Sequence, residues 1–88
     1  MTRQIIYRVV EYVPKSYGPI TVDIGYFAQE KDAQEELVIQ TKRITEALHF
    51  KGVPPATYRL DNNGHIGTII LASGREHKRI AIHPIMLR

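Results

Sequence analysis

From Gln4 to Val13 the chain reads QIIYRVVEYV, with Ile5, Tyr7, Val9 and Val13 in one alternating set and Ile6, Arg8, Val10 and Tyr12 in the other. So many β-branched and aromatic residues predict a strand that is partly buried on both faces. Pro14 to Pro19 break the pattern. Proline fixes its own φ, restricts the residue before it and donates nothing to a ladder, so this stretch is a turn-rich connection. In Ile20 to Phe27, Ile20, Val22, Ile24 and Tyr26 alternate with Thr21, Asp23 and Gly25. That is the signature of a strand with one core face and one wet face, pairing with the first as a hairpin.

The periodicity then changes. Asp32, with Glu35 three residues on, reads as a capping box that opens a helix. Ala33, Leu37, Ile44, Ala47 and Leu48 fall at helical spacing, with Gln40 and Thr41 interrupting the stripe. Val38, Ile39 and Thr41 favour strand locally, but roughly eighteen residues without a turn signal favour helix. Gly52 before Pro54 and Pro55 marks its end. Alternation resumes over Ala56 to Asp61 and stops at Asn62, Asn63 and Gly64, residues that tolerate positive φ. A fourth strand is expected over His65 to Ser73 and a fifth over Lys78 to His83, joined by a two-residue turn at Gly74 and Arg75 and ended by Pro84. The order ββαβββ predicts an α+β fold: an antiparallel five-stranded sheet with one helix across one face.

The proposed last hairpin sets Ile69 opposite Ile80 and puts Leu71 and Ile82 on the same, core-facing side. The other side then carries Ile66, Thr68, Ile70, Arg79, Ala81 and His83, joined by Thr57 and Arg59 from strand 3 and Thr21 and Asp23 from strand 2. One helix leaves this face wet, packed on a second copy or held against a partner. A solvated face more often carries Thr, Lys and Glu, so isoleucines beside Arg79 and His83 point to an interface. The plainer alternative is that the isoleucines pack beneath arginine stems or under Ile85, Met86 and Leu87. Among the five tyrosines, Tyr26 and Tyr58 follow the core alternation, whereas Tyr17 lies in the Pro-rich connection beside Lys15 and is expected at an interface.

At 88 residues, with 43% hydrophobic and 24% charged positions, the chain is one ordinary globular domain spanning 1–88. The absence of cysteine excludes disulfide staples, thiolate chemistry and Cys-based metal sites. No run of about 18 apolar residues and no signal pattern occurs, so the expectation is a cytoplasmic protein with no membrane partner. The net charge of +3 lies entirely in residues 45–88, where Lys51, Arg59, Arg75, Lys78, Arg79 and Arg88 outnumber Glu46, Asp61 and Glu76. An excess this small serves solubility as readily as an anionic partner.

The four histidines, His49, His65, His77 and His83, have no metal-ligand spacing, and alternation puts His65 and His83 on opposite faces, so no metal is expected. No GxGxxG or GxxxxGK loop occurs, and no cofactor is expected. Glu76, His77, Lys78, Arg79 and His83 can be drawn as the cluster of a metal-independent ribonuclease. They surround a hairpin tip that excludes no water, so a charged turn is the simpler reading and no enzyme is expected.

The element order, hairpin, helix and then a meander turning at Asn62-Asn63-Gly64 and Gly74-Arg75, resembles that of small phage-encoded inhibitors such as anti-CRISPR proteins. The resemblance implies a non-enzymatic protein that blocks a nucleic-acid-handling complex; no motif residues transfer. The segment GHIGTIILASGREHKRIAIHP is also similar to the closing hairpin of minor pilin-like proteins, without that family's hydrophobic N-terminal helix. The residues expected to bind are Arg59, Arg75, Lys78, Arg79, His83 and Tyr17. A protein partner is favoured, with direct nucleic-acid binding through the basic hairpin as the alternative. A homodimer through the uncovered face or a free strand edge is a further candidate.

Overall fold

The structure, a computed structural model, describes residues 4–50 and 55–87. It contains β1 (Gln4–Val13), β2 (Ile20–Phe27), α1 (Glu30–Phe50), β3 (Thr57–Asp61), β4 (Ile66–Ile70) and β5 (Glu76–Leu87). The strands form one antiparallel sheet in the order β2-β1-β5-β4-β3, with α1 packed on one face, so the expected α+β architecture is observed. Its centre is the long pair of β1 and β5, from Gln4 opposite Leu87 to Tyr12 opposite Arg79. The expected end of the helix at Gly52 and Pro54 lies outside the described residues.

The core lies between helix and sheet. Val9, Ile80, Ile82, Ala33 and Leu37 form one buried cluster, and Leu48, Ala56 and Ile69 another. Thr41, read from the sequence as an interruption of the apolar stripe, is fully buried because its hydroxyl donates to the Leu37 carbonyl at 2.7 Å. Opposite it stands Gly67, where a Cβ would come within 2.4 Å of Thr41 Oγ1. Helix and strand therefore meet at their closest where a glycine removes the side chain. Ala47, by contrast, is exposed.

Five strands about 4.8 Å apart make a layer about 20 Å wide, against about 10–12 Å for a helix with its side chains. The helix thus covers the middle of its own face. On the flanks Ile20 and Val22 of β2, and Tyr58 and Leu60 of β3, stay partly exposed. Tyr58 has the expected orientation, but its edge position denies it full burial.

Several boundaries differ from the sequence reading for identifiable reasons. The helix starts at Glu30, and the Ala33 N–H donates to the Gln29 carbonyl at 3.2 Å, so Asp32 lies inside the first turn rather than at the cap. There it still favours the positive end of the helix dipole. The β4–β5 connection is wider than two residues: the Leu71 N–H bonds the Arg75 carbonyl and the Gly74 N–H bonds the Leu71 carbonyl. This places Ile69 opposite Lys78 and Gly67 opposite Ile80. The shift is by two residues, so every side chain keeps its expected face.

Pro84 does not end β5, which continues to Leu87. The Ile82 N–H reaches across to the His65 carbonyl at 2.9 Å, so by alternation position 84 also points toward β4, whose last partner on β5 is Ala81. A missing N–H there breaks no ladder bond.

A β-bulge between Val9 and Val10 sets Val9 opposite Gly25 and Val10 opposite Asp23, leaving Ile24 without a partner. Beyond it the alternation of β2 inverts. Tyr26, expected in the core, is 56% exposed on the face away from the helix, while Phe27 packs on the core.

Candidate functional site

Alternation from the buried Val9, Ile80, Ile82 and Ile69 assigns the opposite face to Arg8, Val10 and Tyr12 of β1, Arg79, Ala81 and His83 of β5, Ile66 and Thr68 of β4, and Arg59 and Asp61 of β3. No helix lies on this open face among the described residues. Its floor is nonetheless closed: Val10 is 1% exposed, and Thr68 and Ala81 are buried. Long neighbours provide the cover. Tyr12 reaches over β5 and its hydroxyl stands 2.6 Å from His83 Nε2, with the two rings edge-on at 6.0 Å between centroids. The side chains of Tyr12, Ile66, Arg79, Ala81 and His83, with Glu76 and Pro19 at the rim, enclose a shallow groove of about 340 Å3.

Charge on this face is locally cancelled. Arg8 donates from Nε and Nη2 to Asp23 Oδ1 at 2.8 and 2.5 Å, and Tyr26 donates to Asp23 Oδ2 at 3.2 Å. Arg59 donates to Asp61 at 2.7 Å, and Arg79 to Glu76 at 2.8 Å. The hydrogen bonds from Arg8 to Asp23 and from Arg59 to Asp61 raise both guanidinium pKa values above the ordinary arginine range. These arginines stay cationic, and each has a carboxylate of its own beside it.

Of the residues expected to bind, Arg59, Arg79 and His83 share the open face. Lys78 does not: it faces the helix side, where its Nζ lies 3.3 Å from Glu11 Oε1. Arg75 is exposed in the β4–β5 turn, with its backbone N–H directed at Ser73 Oγ at 3.4 Å. Tyr17 is 79% exposed in the β1–β2 connection. Because β1 and β5 are antiparallel, both turns lie at the same end of the sheet.

The drawn ribonuclease cluster converges only in part: Glu76, Arg79 and His83 line the groove, whereas His77 and Lys78 do not. Lys78 faces Glu11, Glu76 holds Arg79, His83 meets Tyr12, and His77 lies opposite the register shift between Ile69 and Ile70. His65 sits on the helix side, with Nδ1 2.8 Å from the Asn62 carbonyl and Nε2 3.5 Å from Glu30. Among the described residues no group of three or more His, Asp or Glu is placed to hold a metal ion.

Sequence reasoning assigned Asp23 to this face but not Arg8 and Tyr12. The signal was present in the second alternating set of β1, which places Arg8 and Tyr12 together, but nothing local announced that β5 would lie beside them. No helix among the described residues is long and apolar enough to cross a membrane. Compared with family models, curated proteins and solved structures, the chain gives no match.

Proposed function

We propose that this chain is a non-catalytic interaction module that docks on a protein partner through the open face of its sheet. The observation that carries the reading is the shallow groove of Tyr12, Ile66, Ala81 and His83 beside arginines already matched to Asp23, Asp61 and Glu76. A phosphate backbone draws its affinity from cations free to replace condensed counterions. Here each guanidinium already has a carboxylate beside it, which offsets its attraction for an incoming phosphate. A protein surface with its own mix of charges can exchange partners with these pairs while filling the groove. Tyr12 and His83 add amphipathic rings of the kind that anchor protein interfaces. The likeness of element order to small phage-encoded inhibitors extends the proposal to the blocking of a nucleic-acid-handling complex in the cytoplasm.

The test is a photo-cross-linking residue placed at Ile66 or at His83, with the same residue at Ile39 on the outer helix as control. In the native cell the open-face positions capture a discrete protein, resistant to nuclease, and the Ile39 position captures none. Capture of nucleic acid alone from Ile66 and His83 would assign the face to direct nucleic-acid binding instead.

A further inference from the structure

The two asparagines of the chain, Asn62 and Asn63, stand together in the β3–β4 turn, and only Asn63 is followed by glycine. An asparagine carboxamide is open to attack at Cγ by the main-chain nitrogen of the next residue, and glycine there puts no side chain in the way. Asn63 is exposed, and its carboxamide makes no hydrogen bond with the described residues. The electrophile is therefore accessible, and the freedom of the peptide unit that carries the nucleophile sets the rate.

That unit, between Asn63 and Gly64, is held at both of its polar ends. Its oxygen accepts a hydrogen bond from Gln34 Nε2 of α1 at 2.9 Å, and its N–H donates to the Asp61 carbonyl at 3.2 Å. Gln34 also lies close over Gly64, where a Cβ would stand 3.7 Å from the same Nε2. To bring its nitrogen against Cγ, the unit must rotate about the Cα–C bond of Asn63, and that rotation breaks both bonds. The bond to Asp61 belongs to the turn, but the bond from Gln34 comes from another element and is removable without touching the turn's own sequence.

We propose that Asn63 is a site of spontaneous deamidation and that Gln34 is the latch that slows it. In the first step the Gly64 nitrogen bonds to Asn63 Cγ and gives up its proton, and the carboxamide nitrogen leaves as ammonia, closing a succinimide ring. Water then adds to one of the ring carbonyls and its C–N bond breaks, leaving aspartate or isoaspartate. One water is consumed and one ammonia released, so no oxidant or reductant is needed. Either product adds one carboxylate, which takes the net charge from +3 to +2. Isoaspartate also lengthens the main chain by a methylene inside the turn, so the bonds from the Gly64 N–H to Asp61 and from the His65 N–H to Asn62 lose their present geometry. The site involves no partner and stands whether or not the proposed docking does.

The test is incubation of the pure protein at neutral pH, followed by tryptic mapping of the peptide from Leu60 to Arg75, which carries both asparagines. Conversion of carboxamide to carboxylate is expected at Asn63, giving both aspartate and isoaspartate, and at least about tenfold slower in the native protein than in concentrated urea. Gln34→Ala and Gln34→Glu, the second keeping the length but losing the donor, speed native conversion about fivefold, the factor one ordinary hydrogen bond represents. In urea both variants convert at the wild-type rate. Asn63→Gly keeps the turn and shows no conversion, and Leu48→Ala, which weakens the distant second core cluster with the latch intact, keeps the native wild-type rate. Equal rates in the native protein and in urea, Gln34 variants that fold and convert no faster, acceleration by Leu48→Ala as great as by Gln34→Glu, or conversion at Asn62 in place of Asn63 would overturn the proposal.

Discussion

At the scale of single residues, two contacts make opposite demands on stability. Gly67 lets α1 approach β4, and a methyl group there would collide with the Thr41 hydroxyl, which is buried and tied to the Leu37 carbonyl. Gly67→Ala is therefore expected to cost about 1–3 kcal/mol, as overpacking does. Thr41→Ala in the same chain should return part of that loss, since the Thr41 Cβ itself stands 3.4 Å away, an ordinary contact. Urea denaturation of the four members of this cycle measures the coupling. Thr68 presents the reverse case. Its hydroxyl is buried on the open face and makes no hydrogen bond among the described residues. Removing an unsatisfied buried polar group while keeping its shape relieves a desolvation cost, so Thr68→Val should raise stability by about 1 kcal/mol, seen as a higher urea midpoint.

At the scale of elements, the punctuation was the most legible part of the chain. Asn62, Asn63 and Gly64 take φ values of 52°, 55° and 81°, as the Asn-Asn-Gly triplet implied. Their turn is tied to the helix by Gln34, which donates to the Asn63 carbonyl at 2.9 Å. A left-handed conformation costs an ordinary side chain about 1–2 kcal/mol, so Asn63→Ala should lose about 1 kcal/mol and Asn63→Gly much less, on thermal or urea unfolding. The strands β1 and β2 have the bounds their alternation predicts because Pro14 to Pro19 separate them and the periodicity changes after Phe27. What alternation could not reveal was a bulge, which depends on the partner strand. Tyr26 was misassigned for that reason alone. Pro84 misled differently: proline forbids a strand only where a neighbour awaits its N–H, and no sequence pattern tells where β4 has already ended.

At the scale of the whole molecule, the central pairing of β1 with β5 joins segments from the two ends of the sequence with no turn to advertise it. Only hairpins leave a local signature, so the sheet order, and with it the meeting of Tyr12 with His83, had to come from the structure. The candidate face was legible as a set of residues but not as a balanced one, because Arg8 with Asp23 spans a hairpin and its bulge. That balance has a measurable consequence. Nucleic-acid binding loses about 0.9 units of log affinity per decade of salt for each phosphate neutralised. Docking through self-paired arginines should show a slope much shallower than about −2 for the native partner, measured by titration across ionic strength. A slope several times steeper would return the basic turn at Arg75 to first place.

The bulge in β2 also divides that strand into two halves that keep separate registers, Ile20 to Asp23 against Val13 to Val10, and Gly25 to Phe27 against Val9 to Tyr7. Ile24 belongs to neither ladder; it serves the interior alone, as a plug packed on the core cluster. The strand thus contains an expansion joint. Losing that one residue would leave both ladders in phase and empty only its place in the interior, whereas losing Val22 would move Ile20 and Thr21 by one place and turn each to the opposite face.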